Sequence, residues 1–200
     1  VQTCALPILL KNISITNGSI TNFKRSGIHC YNSTFDANPY AVGKPYESLK
    51  FSNLDILDCG SSPTTFFASG IDLSANGGFS QVTENFFPET YKDVVIEQCR
   101  INRCLGNGAI SIIYCDGLII SDTQANDTKC TVSSGLGGAA AYSISARNLQ
   151  MYNCQGNGTK NLDPTATDSQ VGSFLFVFNA YLKDCQFNDT YGEADAIVNF

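Results

Sequence analysis

Tryptophan is absent from this 200-residue chain, methionine and histidine occur once each, and only 15 % of residues are charged. So little charge excludes the Glu- and Lys-rich composition of helical bundles. Lysine and arginine number 12 against 18 acidic residues, and the net charge of −6 argues against a nucleic-acid surface. Long apolar runs are also missing. The longest, Val171 to Leu182, is broken by Ser173 and Asn179, and a membrane-spanning helix needs about 20 residues. One histidine and no Cys-x-x-Cys leave no zinc-type spacing, so no metal or cofactor is expected. A Gly-x-Ser-x-Gly nucleophile turn and a phosphate loop are both missing.

No basic stretch with an apolar core and cleavage site opens the chain, so no signal peptide is read. Residues 1–8, from Val1 to Ile8, read instead as the translation of a common sequencing-library adapter. On that reading they are excluded from the fold, the true start is missing, and the chain is a fragment from environmental sequencing. Eight of the nine cysteines then remain, since Cys4 drops out. Residues 9–200 form a single domain, and Ala196 to Phe200 stops in mid-pattern, which predicts a second truncation.

What is present is a repeat. Two alternating apolar residues, a two-residue bend and a small residue or Cys recur as Ile13-x-Ile15-x-x-Gly18, Leu54-x-Ile56-x-x-Cys59 and Val94-x-Ile96-x-x-Cys99. The pattern continues as Leu118-x-Ile120-x-x-Thr123, Leu149-x-Met151-x-x-Cys154 and Ala180-x-Leu182-x-x-Cys185. Six copies at steps of 41, 40, 24, 31 and 31 residues predict a solenoid in which loops absorb the differences in length. The expected fold is all-β, a right-handed parallel β-helix of about six rungs, roughly 29 Å long at the strand spacing of stacked sheets.

Alternation places both apolar residues of each cassette inside. Asn102, Asn126, Asn157 and Asn188 recur three residues after the bend position and predict a ladder of stacked amides, with Asn chosen for its tolerance of left-handed backbone. A second strand in each turn reads Ser26-Gly27-Ile28, Ser69-Gly70-Ile71, Gly108-Ala109-Ile110, Gly137-Gly138-Ala139 and Gly172-Ser173-Phe174. Ile28 with Cys30 and Ile71 with Leu73 face in, leaving His29 and Asp72 to water. The same phase puts Ala109, Ala139 and Ser173 inside, and Ile110, Ile112, Tyr142, Phe174 and Phe176 outside. Either the register shifts, or Phe79, Phe86, Phe87 and Tyr91 of the segment 74–92 cover that stripe.

The segment from Val94 to Asn157 resembles the right-handed β-helix repeats of polymorphic outer-membrane proteins, through Gly137-Gly138-Ala139, Gly108-Ala109-Ile110 and shortened turns at Ile101-Asn102 and Phe187-Asn188. More broadly, residues 9–200 resemble the pectin-lyase-like superfamily. The resemblance implies either surface display and adhesion or polysaccharide binding and cleavage. The Gly-His-Gly and Arg-Ile-Lys motifs of that superfamily's hydrolases are missing, as are paired Asp residues at their spacing.

Cys59, Cys99, Cys154 and Cys185 fall at one inward position and read as a column of free core thiols. Cys104 and Cys130 fall in neighbouring loops and are candidates for pairing. Of six glycosylation sequons, at Asn12, Asn17, Asn32, Asn126, Asn157 and Asn188, three coincide with the predicted ladder and read as turn residues. Asp55, Asp58, Asp116 and Asp122 sit beside bends, where Asp is favoured structurally. His29 and Asp72 read as a solvated pair, Arg100 and Arg103 as outward charges, and Asn157 to Gly172 as a connective loop. Phe86-Phe87-Pro88 could contact a carbohydrate or a protein, but packing is the simpler role. No residue is assigned to catalysis, metal or cofactor. The expectation is a non-enzymatic extracellular or cell-surface scaffold, adhesin-like or structural, whose partners are carbohydrate or a host or cell-surface protein. The alternative is a piece of a polysaccharide-active β-helix enzyme, a lyase or glycoside hydrolase, whose catalytic rungs lie elsewhere.

Overall fold

The computed structural model describes residues 10–32, 45–60, 69–75, 87–106, 108–130, 140–161, 168–174, 176–191 and 194–199. The expected adapter segment, residues 1–8, lies outside them, as do Phe79, Phe86 and Ala139. Among the described residues every regular element is a β-strand. Every pairing runs parallel, in one open sheet compatible with a solenoid. No helix among them is long and apolar enough to cross a membrane.

The local unit is five residues long. In β3 (Tyr46–Leu57) the buried aliphatic and phenyl side chains are Leu49, Phe51, Leu54 and Ile56, with Tyr46 and Ser52 buried beside them, while Ser48, Asn53 and Asp58 adopt φ of 57°, 52° and 53°. Simple alternation would send a residue five places on to the opposite face. One left-handed residue per five turns the chain through a corner and returns the next apolar side chain to the inside. Such corners follow one another at 12, 17 and 22, at 48, 53 and 58, at 93, 98 and 103, at 117, 122 and 127, and at 148, 153 and 158. Asn179 and Asp184 begin a further set. All but Ser48, Gln98 and Arg103 are Asn, Asp or Gly, the residues that reach this conformation at least cost.

These units stack in register. One column runs Ile13, Leu49, Val94, Leu118, Leu149 and Ala180. The expected second cassette is therefore one corner late. Leu49-x-Phe51-x-x-Leu54, not Leu54-x-Ile56-x-x-Cys59, stacks on Val94-x-Ile96-x-x-Cys99, and Ile56 pairs instead with Ile101. The bend positions become 18, 54, 99, 123, 154 and 185, with steps of 36, 45, 24, 31 and 31.

The second strands also shift from expectation. Their inner columns run Ile28, Ile71, Ile110 and Tyr142, and Cys30, Leu73, Ile112, Ile144 and Phe174. Ile110, Ile112, Tyr142 and Phe174, expected outside, are buried in the core. Ser173 pairs with Ser143, in the row outside that core, although it too is buried. The reason lies at the small residues. A Cβ added to Gly70 would meet Ile101 Cγ2 at 2.3 Å and Ala109 O at 2.7 Å. The chain therefore enters the core against its neighbour here, Ala109 is buried together with Ile110, and alternation counts from the isoleucine. Of the segment proposed as a cover, Tyr91 is itself core, and Phe87 packs edge-on against Tyr114 and Phe178 beneath Arg147.

Candidate functional site

β2 (Ile28–Asn32) and β4 (Ser69–Ala75) pair in register, so His29 lies beside Asp72. Continuing across the sheet, Asp72 pairs with Ser111, Ser111 with Ser143, and Ser143 with Ser173. The result is one polar row on the outer side of an apolar pair of columns. The row is not a solvated surface. Asp72 is only 1 % exposed, and Ser111 and Ser173 are buried. Reading His29 and Asp72 as a solvated pair is thus corrected for the aspartate, while the His29 side chain remains 38 % exposed.

His29 Nδ1 lies 2.8 Å from Asp72 Oδ2, and Ser26 Oγ approaches the same oxygen at 3.5 Å. An ionised Asp72 can only accept, so opposite the carboxylate Nδ1 carries the proton, and the neutral ring then has its lone pair at Nε2. Burial pushes the Asp72 carboxyl above its usual range, against hydrogen bonds from His29 and Ser26 that hold it down. The Tyr31 ring lies nearly parallel to His29, 13° between planes and 6.3 Å between centres. Beneath the pair, the buried Tyr91 hydroxyl reaches Cys30 O at 2.7 Å and Ser74 O at 2.6 Å, tying β2 to β4. Burial raises the Tyr91 hydroxyl, the Tyr46 hydroxyl and the Cys30 thiol, so all three stay protonated at neutral pH.

The other singled-out residues serve the stack. Asn126 donates to Asn102, Asn157 to Asn126 and Asn188 to Asn157, at 3.1, 2.9 and 3.1 Å. The ladder is as expected, but its members are not the left-handed residues. Arg103, Asp127 and Gly158, one place on, take that conformation. Arg100 and Arg103 each clasp a carboxylate of the neighbouring strand through two nitrogens, Asp55 and Asp58 respectively. Asp116 accepts from Arg147 and Asn148, and Asp122 from Asn153. Asn32 is buried and donates to Thr90 O. The expected loop after Asn157 is in part a strand, β11 (Gln155–Asn161).

Cys99, Cys154 and Cys185 share a column with Leu54 and Thr123. Cys59 does not. It stacks on Cys104, whose neighbour Leu105 donates to Cys59 O. Cys104 lies outside the strands, as expected, but is a buried free thiol, while Cys130 ends a short strand, Lys129–Cys130, and its side chain lies outside the described set. Burial lifts the thiols of Cys104 and Cys154 to about 12, and it also raises that of Cys115. They behave as small apolar groups, not nucleophiles.

Sequence reasoning missed Ser26, Ser111 and the buried state of Asp72. The signal was the phase of the second strand. Aligning Ile71 with Ile110 places Asp72 and Ser111 in one row. Comparison with protein-family models, with curated proteins and with solved structures finds no match.

Proposed function

We propose that this protein is an extracellular or cell-surface scaffold, adhesin-like or structural, rather than a polysaccharide-cleaving enzyme. The repeated strands form a right-handed parallel β-helix of six rungs, of the pectin-lyase-like kind. The observation that carries the reading is how the outer faces are used. Lys11 pairs with Glu47, Lys50 with Glu97, Arg100 with Asp55 and Arg103 with Asp58, each across adjacent strands. The Asn ladder does the same at a neighbouring position. Side chains that bind the next strand extend a rod and are withdrawn from chemistry. Its partners are a carbohydrate or a host or cell-surface protein.

The second reading, a piece of a polysaccharide-active enzyme, draws on one observation, the buried carboxylate of Asp72. Incubating the chain with pectin-like and other acidic polysaccharides separates the two. The scaffold reading expects no reducing ends to appear and binding of labelled protein to cells or glycans. Sugar release by the purified chain overturns it. A helix-dominated circular-dichroism spectrum would overturn the β-helix itself.

A further inference from the structure

Asp72 is a costly residue. Its carboxylate is buried in a row that continues through Ser111, Ser143 and Ser173, and burial works against its ionised form. What it gains is His29, the only histidine of the chain. The ring is held at Nδ1, its side chain is 38 % exposed, and no described residue bonds Nε2. Ser26 Oγ lies 3.5 Å from the same carboxylate oxygen. A base oriented by a buried acid is the arrangement that general-base catalysis requires, with geometry set before any substrate arrives.

We propose that His29 is a catalytic general base for the hydrolysis of acyl esters, with Asp72 as its positioning residue. Water attacks the acyl carbon while His29 Nε2 takes its proton. The ester C–O bond then breaks, and the departing alcohol oxygen takes that proton back, leaving acid and alcohol. Asp72 stabilises the imidazolium between the two transfers. Ester cleavage fits because one base that returns its proton completes the cycle. Glycoside cleavage needs a second carboxyl group across the bond, and Asp55, Asp58 and Asp116 are each held by arginine. The Tyr31 ring, parallel to the imidazole and 37 % exposed, offers a flat apolar wall, which suits aryl or short acyl esters. This adds an activity to the scaffold and does not depend on it.

The probe is p-nitrophenyl acetate with the full chain, compared with free imidazole at equal concentration. The expected rate exceeds that of imidazole by about a hundredfold, the low end of what a positioned base contributes. His29→Gln abolishes the excess. Asp72→Asn lowers kcat about a hundredfold with KM little changed, and shifts the pH–rate profile. Cys30, Tyr46 and Tyr91, the other titratable groups facing the pair, stay protonated and do not contribute a limb near neutrality. Nitrogen NMR of the single imidazole reads the same geometry without substrate. The Nδ1–H form dominates when neutral and loses its preference in Asp72→Asn. A wild-type rate no greater than imidazole, or a rate unchanged in folded Asp72→Asn, overturns the proposal.

Discussion

Two aspartates show how position sets the sign of a charge's effect. Burial raises the Asp72 carboxyl above its unfolded value despite His29. A raised group contributes its stability below the unfolded pKa, near 3.9, and loses that contribution as pH rises through the folded value. Ionisation of Asp72 above that folded value therefore opposes folding. Asp72→Asn is expected to raise Tm at pH 7, with the gain shrinking as pH approaches 4, measured by thermal melts across that range. Asp116 behaves in the opposite way. Burial pushes it up, but hydrogen bonds from Arg147 and Asn148 outweigh this and lower it. Its contribution is present above the unfolded value and lost as pH falls through the folded one. Arg147 also bonds Glu89 and covers Phe87. Arg147→Ala should cost about 1–2 kcal/mol in urea denaturation at pH 7, and less at a pH acidic enough to protonate Asp116, below its lowered folded value. A loss that is equal at both pH values would make packing on Phe87 the whole effect.

At the scale of elements, the five-residue unit explains both what the sequence made legible and what it hid. Inner and outer positions of a cassette were readable because alternation is local. Which cassette stacks on which was not, since Leu49-x-Phe51-x-x-Leu54 and Leu54-x-Ile56-x-x-Cys59 both satisfy the pattern and differ by one corner. That ambiguity put Cys59 in the wrong column. The phase of the second strands failed for another reason. Backbone approach at Gly70 and Ala109 lets two successive residues be buried, which period-two counting does not allow. The Asn ladder survived both errors, because Asn102, Asn126, Asn157 and Asn188 follow correctly aligned bends. Within it, Asn126 both donates and accepts, while Asn188 is exposed and donates one described bond. Asn126→Ala is expected to cost about 1–2 kcal/mol and Asn188→Ala about half that, with urea m-values unchanged. Gly70→Ala tests the close approach. Backbone and a core isoleucine meet its new methyl, so a loss of about 1–3 kcal/mol is expected, and a neutral outcome would disprove the contact.

For the whole molecule, the thiols report how the stack comes apart. Seven described cysteines are free, and five of them, Cys59, Cys99, Cys104, Cys115 and Cys154, are buried in one continuous core. Cys30 and Cys185 are half-buried at its margins. Alkylation requires the thiolate and access to it, and burial denies the five both. In a stack where each strand packs on its neighbours, marginal strands open at lower cost than inner ones. Pulsed alkylation over a urea series, read by mass spectrometry, should therefore label Cys30 and Cys185 well below the unfolding midpoint. The five core thiols should label together at the midpoint, because they share one set of apolar contacts across adjacent strands. Labelling of Cys99 or Cys154 in native buffer would mean that the inward column is misassigned. Stepwise labelling from one side of the stack to the other would mean that the core does not unfold as a unit, and that the coupling between neighbouring strands is weaker than their shared side-chain contacts imply.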